Sequence, residues 1–199
     1  MVKGKFKNMI RSLIQGEQKR DTKIPDILIK EEIDGKPYYY KNYKLVLNKE
    51  KTLEDIMGAS GLQSLIIEIL LDFLFQSIGR KHYRFFTNEL RGHIKKGTNL
   101  SFDIAVFDKK TLPFNKINEY YVSVPPKIVF EIDVKIDVAN ENGLGYINAK
   151  TEKLLAYGTE LIIWVLTKQQ KLIMARPNEK WQIMKWDETL ELINNRLVL

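Results

Sequence analysis

Between Ile128 and Leu166 the chain runs through an apolar strand, a helix and a second apolar strand, and no other stretch restricts the fold as much. Ile128 to Lys135 and Leu161 to Leu166 read as the strands. The helix spans about Asn148 to Tyr157 and stops at Gly158, a residue suited to the left-handed turn that ends helices. Such a crossover returns the second strand parallel to the first and packs the helix back onto the sheet. The expected fold class is α/β, with a mixed central sheet flanked by helices.

The remaining segments supply antiparallel strands and covering helices. In EEIDGKPYYYKNYKLVL the pair Asp34-Gly35 is a hairpin signal between β-favouring residues. Leu53 to Ile56 and Gly61 to Ile78 read as helix. The second is apolar nearly all round except along Ser64, Glu68, Asp72 and Gln76, which predicts burial against a sheet. His82 to Thr87, Leu100 to Phe107, Lys171 to Ala175 and Trp181 to Trp186 are strand-like, and a last helix is expected from about Asp187, as N-cap, to Asn194. Asp108 to Ser123 is a loop with little pattern, long enough to carry function or mobility.

At 199 residues, 44% of them hydrophobic, the chain suits one domain, expected over 24–199 behind a basic arm at 1–23. The arm holds seven Lys and Arg against two acids, five of the net seven positive charges, and Phe6 to Ile14 in it has the spacing of a short amphipathic helix. Such an arm can neutralise phosphates, and a solvated chain end accounts for the same charges. Glu68, Asp72 and Gln76 interrupt the longest apolar run, and the arm has no signal-peptide core, so cytoplasmic residence without a membrane partner is expected. With no Cys, thiol nucleophiles, disulfides and cysteine-bound metals are excluded; with two His, a His-rich metal site is not expected.

The chemistry sits in acids placed within apolar strands. Asp103 interrupts Leu100 to Phe107, where burying an unpaired carboxylate is costly unless hydrogen bonds, a cation or a shifted pKa relieve it. In Phe130 to Asp137, FEIDVKID, alternation puts Glu131, Asp133 and Lys135 on one face. A solvated strand face would explain that alternation, and a strand-entry cap would explain Asp103. A divalent metal held by carboxylates from neighbouring strands explains all of them together. A lysine beside the metal would position or deprotonate the attacking water, and two candidates stay open: Lys135 on the strand and Lys150 on the crossover helix.

At these residues the chain resembles the Uma-two family of restriction-endonuclease-like proteins, within the PD-(D/E)XK nuclease superfamily. The resemblance runs in order through EEIDGKPYY, LQSLIIEILLDFL, SFDIAVF, PPKIVFEIDV and KTEKLLAYGTELIIWVL, from about residue 31 to 186. It implies a restriction-endonuclease-like core in which Asp103 and Glu131 hold Mg²⁺ or Mn²⁺ for phosphodiester hydrolysis. The E-x-K spacing would place lysine at 133, where Asp133 stands; the family pattern takes it from the following helix, at Lys150, while Asp133-Val134-Lys135 writes a literal D-x-K. Phe102 stands before the first acid where proline is typical. Gln63 and Glu68 are further polar residues that could approach the metal site, with solvent-facing roles as the alternative, and Glu89 is expected at a strand edge near the cleft.

The resulting expectation is a Mg²⁺-dependent endonuclease acting on nucleic acid, DNA first, with Asp103, Glu131 and Asp133 as metal ligands and Lys135 or Lys150 at the nucleophile. Duplex cutting would call for a homodimer. A catalytically silent nuclease-fold module that binds nucleic acid or a protein is the other reading.

Overall fold

The computed structural model describes residues 24–133, 141–186, 188, 190–192 and 195–197. The amphipathic stretch Phe6 to Ile14, the arm that contains it, and Lys135 lie outside them, as does the side chain of Asp133.

Two main sheets, their covering helices and a two-stranded ribbon form the described fold. The chain begins with β1 (Ile29–Ile33) and β2 (Lys36–Tyr39), joined by Asp34-Gly35 with both residues at positive φ, as a two-residue hairpin turn requires. Short helices α1 (Tyr43–Leu47) and α2 (Glu54–Met57) lead to the long α3 (Gly61–Ser77), which Ser60 caps by accepting the Gln63 amide. Next come β3 (Tyr83–Phe86), β4 (Leu90–Lys95), β5 (Thr98–Phe102), β6 (Ile104–Asp108) and β7 (Ile128–Asp133). Helix α4 (Glu141–Tyr157) crosses over to β8 (Leu161–Leu166), followed by β9 (Lys171–Ala175), β10 (Gln182–Lys185), β11 (Leu190–Leu192) and β12 (Asn195–Leu197).

The larger sheet has the order β10-β9-β8-β7-β6-β3, and its parallel pair is β7 with β8, as the crossover demands. The smaller, β2-β1-β5-β4, is antiparallel. Alternation along the central strands separates two cores. Ile128, Phe130 and Ile132 face α3 through Ile66, Leu70 and Leu74, whereas Val129 shares the opposite face with Trp164 from β8 and with Ile147 and Leu154 of α4. Glu131 has the parity of Val129, so the fold directs it toward α4.

Four expectations are corrected. Leu100 to Phe107 is two strands in different sheets, and Asp103 is the bend between them, because β5 pairs with β1 and β4 whereas β6 pairs with β3 and β7. Helix α4 begins near Glu141, about two turns early, where Gly143 and Gly145 lower helix propensity but Ile147 is fully buried. In place of a last helix, β11 pairs antiparallel with β12 and buries Leu192, a short apolar run whose period is ambiguous on its own; Asp187 lies outside the described residues. Helix α3 is less covered than its composition predicts: Leu62, Leu65 and Ile69 are each about half exposed (50%, 51% and 51%). By length and composition Glu54–Ser77 would pass for a membrane-crossing helix, but the extended backbone at Gly58 and Ser60 divides it and its inner face packs on the sheet.

Strand β4 runs on where only a strand edge at Glu89 was expected, with Gly92 at its middle. A Cβ there would come within 2.7 Å of the buried Phe102 ring, so the glycine is what lets β4 approach β5. Gly92→Ala is expected to overpack this contact at a cost of about 1–3 kcal/mol, read as a lower urea midpoint with an unchanged m-value. A midpoint equal to wild type would show that the ring moves aside freely.

Candidate active site

The site is a buried cluster of three carboxylates and one ammonium, brought together from both sheets and from α4. Lys150 is 1% exposed, Glu31 2%, Glu131 6% and Asp103 8%. Charged groups this deep persist only when they are paired or hydrogen-bonded. The Lys150 Nζ donates to Glu31 Oε1 at 2.7 Å, Glu131 Oε2 at 2.8 Å and the Ser101 carbonyl at 2.7 Å, which uses all three of its protons. One turn earlier on the same helix face, the Tyr146 hydroxyl donates to Glu31 Oε2 at 2.8 Å. The Ser101 amide and hydroxyl also donate to Glu31 Oε1, at 3.1 and 2.6 Å.

Asp103 is held from two sides. Its Oδ1 accepts from Gln63 Nε2 at 3.0 Å, and its Oδ2 accepts the Ile132 amide at 2.7 Å, immediately after Glu131. Its position at the bend between sheets leaves that β7 amide to be met by a side chain. Glu131 is the least satisfied member: its Oε1 is buried with no hydrogen-bond partner.

These contacts decide where the charge resides. Burial would raise Glu31, yet Lys150, Lys30 and the hydrogen bonds from Lys150 and Ser101 hold it below its ordinary value. Burial lifts Glu131 to about 8; the charges of Asp103 and Glu31 add to the rise, and Lys150 only partly offsets it. Burial also raises Asp103, against the Ile132 amide and the charges of Lys30 and Lys150. Lys150 stays protonated, since Glu131 and Glu31 outweigh the burial that would lower it. Lys150 thus faces two carboxylates, while burial favours the neutral form of Glu131. One ammonium can neutralise one buried carboxylate, and the better hydrogen-bonded Glu31 takes the charge.

A pH dependence follows. Folded Glu131 holds its proton up to about 8 and the unfolded chain releases it near 4.5, so the unfolded state binds fewer protons between those values. This contribution to stability is fully present below pH 4.5 and lost as the pH rises toward 8, with Asp103 acting in the same direction. Unfolding free energies from urea melts in chelator should fall between pH 5 and 8 by an amount on the order of a few kcal/mol, and Glu131→Gln should flatten the profile. Equal slopes in the two proteins would remove Glu131 as the cause.

The site thus joins Asp103, Glu131 and Lys150 from among the residues marked in the sequence, together with Gln63. Glu68 is exposed on α3, and Glu89 reaches Lys30 at 4.0 Å. Lys135 and the Asp133 side chain lie outside the described residues, so the D-x-K register does too. Sequence reasoning missed Glu31, Ser101, Tyr146 and Lys30. A signal for Glu31 was present: it shares strand parity with Ile33, which puts an acid on a core-facing row.

Among the described residues, no group of three or more His, Cys, Asp and Glu side chains is placed to hold a metal ion. Asp103 and Glu131 nonetheless fit a hard cation. Both offer carboxylate oxygens, one of them buried and unpartnered, and Mg²⁺ needs only one or two such ligands beside its waters.

No protein-family model matches the chain, and no curated protein matches it. A solved structure from Anabaena variabilis ATCC 29413, described as "a putative nuclease belonging to DUF820", aligns with a TM-score of 0.60 at 17% identity, over 81% of this chain and 80% of that one. At that identity the likeness bears on the fold, which is a restriction-endonuclease-like core: a mixed sheet flanked by helices.

Proposed function

We propose that the protein is a metal-dependent nuclease of the PD-(D/E)XK kind, cutting phosphodiester bonds, of DNA first, at the Asp103–Glu131 site. The observation that carries this reading is the unpartnered Oε1 of Glu131 beside Asp103: a buried acid short of a partner, on a nuclease-like fold, is what a cation would complete. The description of the structural neighbour and the order of segments shared with the Uma-two pattern support it.

In this reading Asp103 and Glu131 would hold Mg²⁺ or Mn²⁺, with Asp133 expected from the sequence as a further ligand. Bound there, the ion would supply an activated water and offset charge on the phosphate. Gln63 and the Ile132 amide fix the Asp103 oxygens. Lys150, with all three protons engaged, orients Glu131 and Glu31, and Tyr146 locks Glu31 from the other side. Lys30, partly buried and 4.0 Å from Glu89, is a further cation whose charge acts on Glu31 and Asp103. The same saturation of Lys150 favours a second reading, a nuclease-fold module that binds without cutting.

The test is cleavage of supercoiled plasmid and single-stranded substrates in Mg²⁺, Mn²⁺ or chelator, with wild type and Asp103→Asn side by side. Cutting that needs the metal and is lost in the variant is the expected result. No cutting of any substrate, with no thermal shift on adding Mn²⁺, would transfer the assignment to the binding module.

A further inference from the structure

The segment after β6 concentrates exposed aromatic surface. Phe114 is 77% exposed, Tyr120 74% and Tyr121 44%, all within eight consecutive residues. Isolated exposed hydrophobics are ordinary, but three rings in one loop are not.

The loop is held at both ends. At its start Leu112 is buried, Asp108 accepts the Lys110 amide, and Arg84 Nε donates to the Leu112 carbonyl. At its end Val122 joins the edge strand β4, bonding the Arg91 carbonyl and the His93 amide. The rings are therefore presented on a fixed frame, which lowers the entropy lost when something stacks on them.

Each base of the loop carries a guanidinium. Arg84 lies 5.2 Å from the Phe114 ring centre; Arg91 lies 5.6 Å from that of Tyr121 and donates to its hydroxyl at 2.7 Å. Lys116 is exposed in the same loop, as is the acid Glu119. Arg91 stands opposite Ser101 in the ladder, two residues before Asp103, so the base of the loop is on the strand next to the one that leads into the candidate active site.

We propose that loop 113–121, with Arg84 and Arg91 at its base, is a stacking surface for unpaired bases of a single-stranded polynucleotide. Rings supply faces on which any base stacks, and neighbouring cations supply phosphate contacts. A duplex hides its base faces in its own stack, so an unpaired strand is the occupant that uses what this loop offers. The inference rests on the nucleic-acid reading of the site.

The experiment measures binding of fluorescent oligothymidylate, oligouridylate and a blunt DNA duplex to the full chain in chelator, where metal-dependent cleavage is absent. Phe114→Ala/Tyr120→Ala is the variant, and because both rings are exposed it should melt as wild type does. The dissociation constant for single strands is expected to rise roughly tenfold or more, given the energy of base–aromatic stacking, and the ratio should persist at high salt. The two oligonucleotides distinguish DNA from RNA. Unchanged affinity in the variant, no single-strand binding by wild type, or equal losses on the duplex would each overturn the proposal. Cutting without loop-dependent binding sinks this inference and leaves the nuclease reading; loop-dependent binding without cutting does the reverse.

Discussion

Glu131→Gln is expected to lower metal-dependent cleavage by at least about a hundredfold while leaving the folded protein as stable as wild type, or more so near pH 8. The two halves have one cause. In the fold Glu131 is the carboxylate with an unpartnered oxygen and a raised pKa, so its ionised form is held at a cost. An amide of the same shape removes the cost and also removes the charge that would hold a cation. Lys150 keeps Glu31 and the Ser101 carbonyl as partners, so the substitution strands no buried ammonium. Cleavage rates in Mg²⁺ and Mn²⁺ and urea midpoints at pH 5 and 8 are the measurements. Cleavage within a few-fold of wild type would remove Glu131 from the metal site, and a large stability loss would make it a structural partner of Lys150.

What the sequence made legible depended on whether the signal was local. Asp103 and Glu131 stood out because a carboxylate inside a strongly apolar strand is expensive wherever the strand ends up. Lys150 was reachable because a crossover helix must pack back onto its sheet. Glu31 was obscured by its neighbours: Lys30 and Glu32 make IKEEI look like a wetted strand, and only Ser101 and Lys150, distant in sequence, show it to be buried. Tyr146 was hidden for another reason. Gly143 and Gly145 weaken the helical pattern just before it, and packing of Ile147 overrides that propensity. The break at Asp103 was not legible because both halves are apolar, and the change of pairing partner from β1 and β4 to β3 and β7 is a tertiary fact.

Lys150→Met is expected to cost about 3–5 kcal/mol, because it leaves Glu31 buried without its cation and the Ser101 carbonyl without its donor. For a chain of this size that corresponds to a fall in Tm of roughly 6–20 °C. A control is available on the same helix. Lys153 pairs with Asp34 at 2.5 Å, but the two side chains are 31% and 46% exposed, so Lys153→Met should cost under about 1 kcal/mol. The origin of the larger loss is testable by a cycle with Glu31→Gln. If the penalty is the uncompensated Glu31 charge, the amide should return much of it in the Lys150→Met background, since the Gln oxygen can still accept from Ser101 while its NH2 donates to the Tyr146 hydroxyl oxygen, with no counter-charge needed. The same background keeps the comparison measurable should the single variant fail to fold. Equal losses for Lys150→Met and Lys153→Met would mean that the buried cluster relaxes around the missing ammonium, and that Lys150 is kept for chemistry rather than for holding the carboxylates.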